Sequence, residues 1–243
     1  MTLWAASARA ELCVDVDLHF SGHAPEPELR AAIEQETTAI WAPYGVNLRW
    51  QVPACDVSDV SFDVFVARRL PASSPGRAVL GSTHVQLTCT DRVPIVIDAA
   101  VTEKTLGSLT MNELMERTGR LRVGPQELGR AFGRVLAHEI GHVILGLPNH
   151  QREGLMRRAF HPIDMVSPLR SEYGLSSFEI SRLRHRADAI LTLREHTGSA
   201  DAAEATPDHC YHQRATEESW KSERVDQELS HAAGARPGDS FRQ

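Results

Sequence analysis

The stretch AHEIGHVILGLPNHQREGLM, residues 137–156, brings together residues that could hold a metal and act on a bound water. On a helix, residues four apart share a face, so His138 and His142 can aim both imidazoles at one ion. Glu139 lies about 100° round the helix from His138. That is too far round for a natural third ligand, but within reach of a water on the metal. Two ligands and one general base is the logic of HExxH. His150 is the third candidate ligand, because a helix that stops at Gly146 lets the chain turn back towards the ion. Three protein ligands and a water make the catalytic zinc arrangement, and Zn2+ is the cofactor these residues imply. The water's pKa would fall towards about 7. Glu139 would take its proton and hand it to a leaving amine. Without His150, the third ligand would be Glu153, Glu172 or Glu179. The competing reading is a solvated helix that carries histidines by chance.

The elements around this stretch must position it. A long helix is expected from Pro125, a residue suited to a first helical position, to about Leu145 or Gly146, with Pro148 forbidding much more. Phe132, Leu136, Ile140, Val143 and Leu147 form one stripe for burial against a sheet. The two histidines fall away from it, at the edge of a cleft. Upstream, residues 12–20 (LCVDVDLHF) alternate with period two and read as a half-buried strand. An amphipathic helix over 28–42 stops at Gly45. Further strands are expected at 46–52, 61–70, 78–87 and 94–101, the fourth weakened or bulged at Gly81 and the last apolar enough to be central. Residues 103–124 read as a short helix or a loop, and 147–170 as loop. A last helix spans 176–195, with a capping-box pattern at Ser176 and Glu179.

The 243 residues carry a net charge of -6, which argues against nucleic acid as the main partner. No apolar run approaches the roughly 18 residues of a spanning helix, so no membrane partner is expected. Cys13, Cys55, Cys89 and Cys210 form no CxxC pair, which excludes cysteine-based zinc ribbons. A Cys55–Cys89 disulfide and free thiols are both open. The start, MTLWAASARAEL, lacks the basic opening and the apolar length of a secretory signal. The chain therefore divides into an N-terminal extension (1–10), one domain (11–195) and a tail (196–243). The tail has nine acidic and five basic residues and few large apolar ones, a composition expected to be disordered. Its His209-Cys210-Tyr211-His212 is read as chance.

HEIGHVILGLPNH followed by Gly154-Leu155-Met156 resembles the metzincin clan of zinc endopeptidases, and within it the matrixin-like group. That clan carries HExxHxxGxxH and then a tight turn with a methionine beneath the metal. The resemblance implies His138, His142 and His150 as ligands, Glu139 as base and Met156 as the Met-turn residue. It also implies a mixed α+β fold: a twisted sheet of about five strands, an early helix, a central active-site helix and a C-terminal helix, covering residues 10 to 195. The spacing departs from the clan's pattern. Gly146 follows His142 by four residues rather than three, and His150 by eight rather than six. The stretch from His150 to Met156 is correspondingly short, which suggests a lengthened turn on the same scaffold. A monomer acting on a peptide or protein, laid extended along an edge strand that carries His84, would follow. Arg157 and Arg158 after the turn could favour acidic side chains, and His161 reads as structural or exposed. The second reading is a zinc-binding interaction or regulatory domain of the same fold that does not cut.

Overall fold

Alternation builds the first strand, β1 (Leu12–Phe20), as expected: Leu12, Val14, Val16 and Leu18 are buried on one face. The computed structural model describes residues 12–22, 24–51, 58–67, 80–83 and 92–197. Apart from positions 196 and 197, these belong to the first of two compact units, Met1–Glu195 and His196–Gln243. The expected extension, Cys55, His84, Cys89 and the tail from 198 onwards lie outside the described residues.

After β1, helix α1 (Pro27–Trp41) starts with proline in its first turn and returns the chain to β2 (Val46–Trp50), parallel to β1. Strands β3 (Val60–Ala67), β4 (Gly81–Thr83) and β5 (Val93–Asp98) complete one five-stranded sheet of order β2-β1-β3-β5-β4. All pairings are parallel except β4 with β5, so the strand at this edge runs antiparallel to its neighbour. The fold is the mixed class expected, with β5 inside the sheet but β3 at its middle. Opposite the apolar core, the sheet carries ion pairs: Arg49 with Asp15 at 2.9 Å, and Arg92 with Asp17 at 2.8 Å and Asp63 at 2.7 Å.

The fifth strand is shorter than expected. It ends at Asp98, whose side chain accepts from the Val101 N–H at 2.9 Å and caps helix α2 (Ala99–Leu106). Residues 99–101 therefore open a helix rather than extend the strand. The ambiguous 103–124 region holds the end of α2 and a further helix, α3 (Met111–Thr118), with a Thr110–Glu113 capping box. Helix α4 (Pro125–Leu145) begins at the expected proline, and Glu127 accepts from the Gly124 N–H at 3.0 Å. Within the supposed loop 147–170, α5 (Pro162–Val166) forms one short helix. The last helix, α6 (Ser177–Thr197), has the expected capping box: Glu179 accepts from the Ser176 N–H at 2.6 Å. Among the described residues no helix is long and apolar enough to cross a membrane.

The expectation of one buried stripe on α4 understates its burial. Every residue from Ala131 to Leu145 is buried, the two histidines included. Such a helix runs through a core rather than along its surface. Helix α1 lies tightly against it: a Cβ on Gly133 would sit 3.0 Å from the Ile33 carbonyl oxygen, and Thr37 donates to the Gly133 carbonyl at 3.1 Å. A buried ion network joins the two helices. Arg134 meets Glu36 at 2.8 Å, and Arg170 takes the other carboxylate oxygen at 2.8 Å. The remaining guanidinium nitrogens of Arg134 donate to the carbonyls of Asp164, Ser167 and Leu169. This network fastens the segment after α5 to the central helix.

Candidate metal centre

The C-terminal half of α4 carries His138, Glu139 and His142, and main-chain oxygens orient both rings. His138 Nδ1 bonds the Leu155 carbonyl oxygen at 2.8 Å, and His142 Nδ1 bonds that of Leu147. A carbonyl only accepts, so each Nδ1 carries the hydrogen and each neutral ring has its lone pair on Nε2. Those two Nε2 atoms stand 3.0 Å apart. Two facing lone pairs cannot bond to each other, and they call for a cation between them. Two nitrogens at ~2.0–2.1 Å from a tetrahedral zinc would lie roughly 3.3 Å apart, so the donor set fits zinc closely. His150 completes the group: one ligand atom from each of the three histidines lies within 4.8 Å of the others. Its ring centroid is 5.1 Å from that of His138 and 5.0 Å from that of His142. His150 is exposed while the other two are buried. The centre is therefore open on one side, as a site with room for water and substrate must be.

Burial shifts the three histidines and Glu139. It lowers the His138 pKa to about 3, helped by the nearby His142 and opposed by the Leu155 hydrogen bond. Burial likewise lowers His142, and His150 is lowered by burial and then by His142 and Arg158. All three rings are held in the neutral form that a metal needs. Burial pushes the Glu139 carboxyl the other way, up to about 8. A carboxyl taken out of water favours its uncharged form.

The turn below the rings is built from glycines and main-chain bonds. The Arg157 N–H donates to the Gly154 carbonyl at 3.4 Å, closing a turn over Gly154-Leu155-Met156-Arg157, and Gln151 N–H bonds the Met156 carbonyl at 2.7 Å. Gly154 adopts φ 75°, and a side chain there would also strike the Gly174 carbonyl oxygen at 2.5 Å. Leu155 is held at both ends: its N–H donates to that Gly174 oxygen at 3.1 Å, and its own carbonyl holds His138. Met156 is fully buried beneath α4. A Cβ on Gly141, midway between Glu139 and Val143 in the chain, would lie only 2.4 Å from the Met156 sulfur. Gly141 thus lets the methionine close up under the histidine-bearing turn. At the end of α4, Gly146 takes the left-handed conformation (φ 60°) that ends helices. Two arginines of α6 secure this end: Arg182 donates to the carbonyls of Leu145 and Gly146, and Arg186 to that of Ile144.

One wall of the centre comes from the segment after the turn. Phe160 stands edge-on to His138, with centroids 5.4 Å apart, and Tyr173 lies 5.4 Å behind Phe160. Arg157 sits over both rings, at 5.2 and 5.0 Å, with Asp164 and Glu172 at 3.6 and 3.7 Å. Its charge is already matched, so Arg157 lends no support to a preference for acidic side chains. Arg158 is exposed. The alternative ligands stand apart from the histidine group: Glu153 is exposed, Glu172 pairs with Arg157, and Glu179 is buried as the cap of α6. His161 is exposed at the start of α5. A second group of ligand-capable residues, Asp17, His19 and Asp63, lies on the outer face of the sheet. Arg92 bonds both of its carboxylates and supplies the positive charge there.

Sequence reasoning grouped the three histidines with Glu139 and Met156; the structure brings the three histidines together, with Glu139 next to His138 on α4 and Met156 beneath Gly141 of the same helix. It missed the carbonyls of Leu147 and Leu155, which no side-chain pattern announces. It also missed Gly141, although a glycine inside so strong a helix costs about 1 kcal/mol and therefore signals a packing reason.

No family model and no curated protein matches this sequence. Among solved structures, the chain is similar to archaemetzincin from Methanopyrus kandleri, at 16% identity over 76% of this chain and 99% of that one, with a TM-score of 0.42.

Proposed function

We propose that this chain is a zinc-dependent endopeptidase of metzincin type, with His138, His142 and His150 as ligands, Glu139 as general base and Met156 in the turn beneath the metal. One observation carries this reading: two neutral imidazoles, each tied through Nδ1 to a carbonyl, present their Nε2 lone pairs 3.0 Å apart with an exposed third histidine beside them. When bound, zinc would polarise a substrate carbonyl and acidify a water. The residues of the chain do the rest. His138 and His142 hold position through Leu155 and Leu147, so little reorganisation is needed. Glu139, next to His138 on the buried helix, would be returned to its carboxylate form by the charge of a bound zinc; it then takes a proton from the attacking water and returns it to the leaving nitrogen. The antiparallel edge strand β4 has one side unpaired among the described strands, where an extended peptide could add by main-chain hydrogen bonds. The substrate is a peptide or protein, and the chain acts as a monomer.

The test begins with elemental analysis of wild type and His150→Ala, purified side by side. About one zinc per chain in wild type and a marked loss in the variant are expected. Peptide-library cleavage by wild type and Glu139→Gln follows. The variant should keep its zinc and lose turnover by roughly 10²–10⁴-fold. Zinc bound without turnover on any peptide or protein would favour a non-cutting zinc domain, and no zinc in wild type would defeat both readings.

A further inference from the structure

Gly81 opens the edge strand β4, where sequence alone suggested a weak point or a bulge. The register shows no bulge at this position. Gly81 pairs in regular register with Ile97, and the preceding Leu80 carbonyl accepts from the Asp98 N–H at 2.9 Å. The strand is thus anchored to β5 on both sides of this residue. What is unusual lies on its inner face. A Cβ placed on Gly81 would meet Glu139 Oε1 at 2.8 Å, Val135 Cγ1 at 2.9 Å and Glu139 Cγ at 3.0 Å. Real Cβ atoms essentially never come within 3.0 Å of such neighbours, so something must shift. Val135 and Glu139 are one turn apart on α4 and both are buried. Gly81 therefore fits into the hollow between them, with bare main chain against the Glu139 side chain.

We propose that Gly81 is a positioning residue for Glu139: its missing side chain sets where the carboxylate rests beside the metal centre. Of the groups that would have to give way, the strand backbone is fixed by β5 and Val135 by the core, while the carboxylate is the free end of a flexible side chain. A methyl group at position 81 therefore moves the Glu139 carboxylate first. This inference rests on the reading of Glu139 as the general base. A general base must lie within about 2.6–3.2 Å of the atom it deprotonates, and a misplacement of about 1 Å can cost on the order of 10²-fold in rate.

The test is Gly81→Ala in the zinc-loaded protein. The expected result is one zinc per chain as in wild type, kcat lower by roughly 10–100-fold, and KM changed less than about threefold, since the ligands and the main-chain hydrogen-bonding groups of β4 are unchanged and the new methyl faces α4. In the Glu139→Gln background the same substitution should change the residual rate by less than about twofold, because the base is already gone. Turnover of Gly81→Ala within about twofold of wild type overturns the inference. So does loss of zinc together with activity, which would place the effect on the fold or the ligands. Should Gly81→Ala fail to fold, Gly81→Ala/Val135→Ala removes the other side chain in the way and is compared with Val135→Ala alone under the same criteria. Absence of turnover in zinc-loaded wild type would be a failure of the endopeptidase reading instead. Crystal structures of zinc-loaded wild type and Gly81→Ala then decide the inference: a carboxylate displaced by about 1 Å or more upholds it, and an unmoved one overturns it.

Discussion

Arg134, His138 and His142 follow one another at intervals of four along α4, and all three are buried, yet they end in opposite conditions. Arg134 has no exposed surface, and all three of its guanidinium nitrogens find acceptors: Glu36 and the carbonyls of Asp164, Ser167 and Leu169. Its face stacks on Tyr173 at 4.4 Å. One turn on, each histidine has only one nitrogen provided for, and the two remaining lone pairs face each other. A buried polar group left unmatched costs about 1–3 kcal/mol. The closed cluster holds α1, α4 and the 164–170 segment together. The open cluster is where the protein leaves room for something it does not itself supply.

Perturbing both clusters can break this comparison. Arg134→Met leaves the buried Glu36 with Arg170 alone, and breaking a buried pair costs about 3–5 kcal/mol. The loss should be the same in zinc-loaded and zinc-stripped protein, read by urea unfolding. His142→Ala should behave in the reverse manner. Wild type loses about 4 kcal/mol on chelation when free zinc had stood at 1,000 times its Kd, and the variant should not respond to the chelator. A chelator response lost in Arg134→Met as well would mean that the two clusters are one.

Glu139 sharpens the same contrast through pH. Its carboxyl titrates near 8 in the folded, metal-free protein and near 4.3 when unfolded. The folded state thus holds a proton that the unfolded state releases, and stability falls as pH rises between those values. Zinc-stripped Glu139→Gln lacks this penalty. At pH 7 it should be more stable than stripped wild type by on the order of 3–4 kcal/mol, and the gap should close towards pH 4.5. An equal gap at both pH values would tie the effect to packing rather than charge.

The same division explains what could be read from the chain beforehand. Period-two alternation gave β1 over its full length, and Pro125 and Gly146 bracketed α4 because each has a local conformational reason to stand there. Ala99-Ala100-Val101 misled because three small or apolar residues after a strand continue its pattern equally well. Asp98 as a helix cap was the signal passed over, as was Thr110 followed by Glu113 for α3. The ligand set was legible because metal chemistry demands particular side chains at particular spacings. Its supports were not: they are carbonyls, a glycine that receives a sulfur, and arginines 36 to 42 residues away in the chain.

Two of these supports give smaller effects. In Gly141→Ala, a methyl would press on the Met156 sulfur, now 2.4 Å from where that carbon would sit. Overpacking of this kind costs about 1–3 kcal/mol. Because Met156 follows Leu155, whose carbonyl orients His138, zinc affinity should fall as well. Competition with a chromogenic chelator would measure it, and an unchanged affinity would show that the turn supports the fold but not the ligand.

Arg182 makes the gentlest probe. It reaches from α6 to the Leu145 and Gly146 carbonyls, two of the groups that a helix end leaves without partners. A cation at this end is also favoured by the helix dipole, by about 0.3–1 kcal/mol. Arg182→Met should therefore lower stability by about 1 kcal/mol, or roughly 2–4 °C in Tm for a chain of this size. His142 stands in the same last turn, and its Nδ1 partner is the carbonyl of Leu147, just beyond Gly146. If α6 only caps the helix, the Tm loss should be equal with and without zinc. If it also holds Leu147 in place for His142, the loss should be larger in the zinc-loaded protein, and thermal melts of both forms distinguish the two. The second result is expected, since the main chain that Arg182 grips runs directly into the carbonyl that orients the ring.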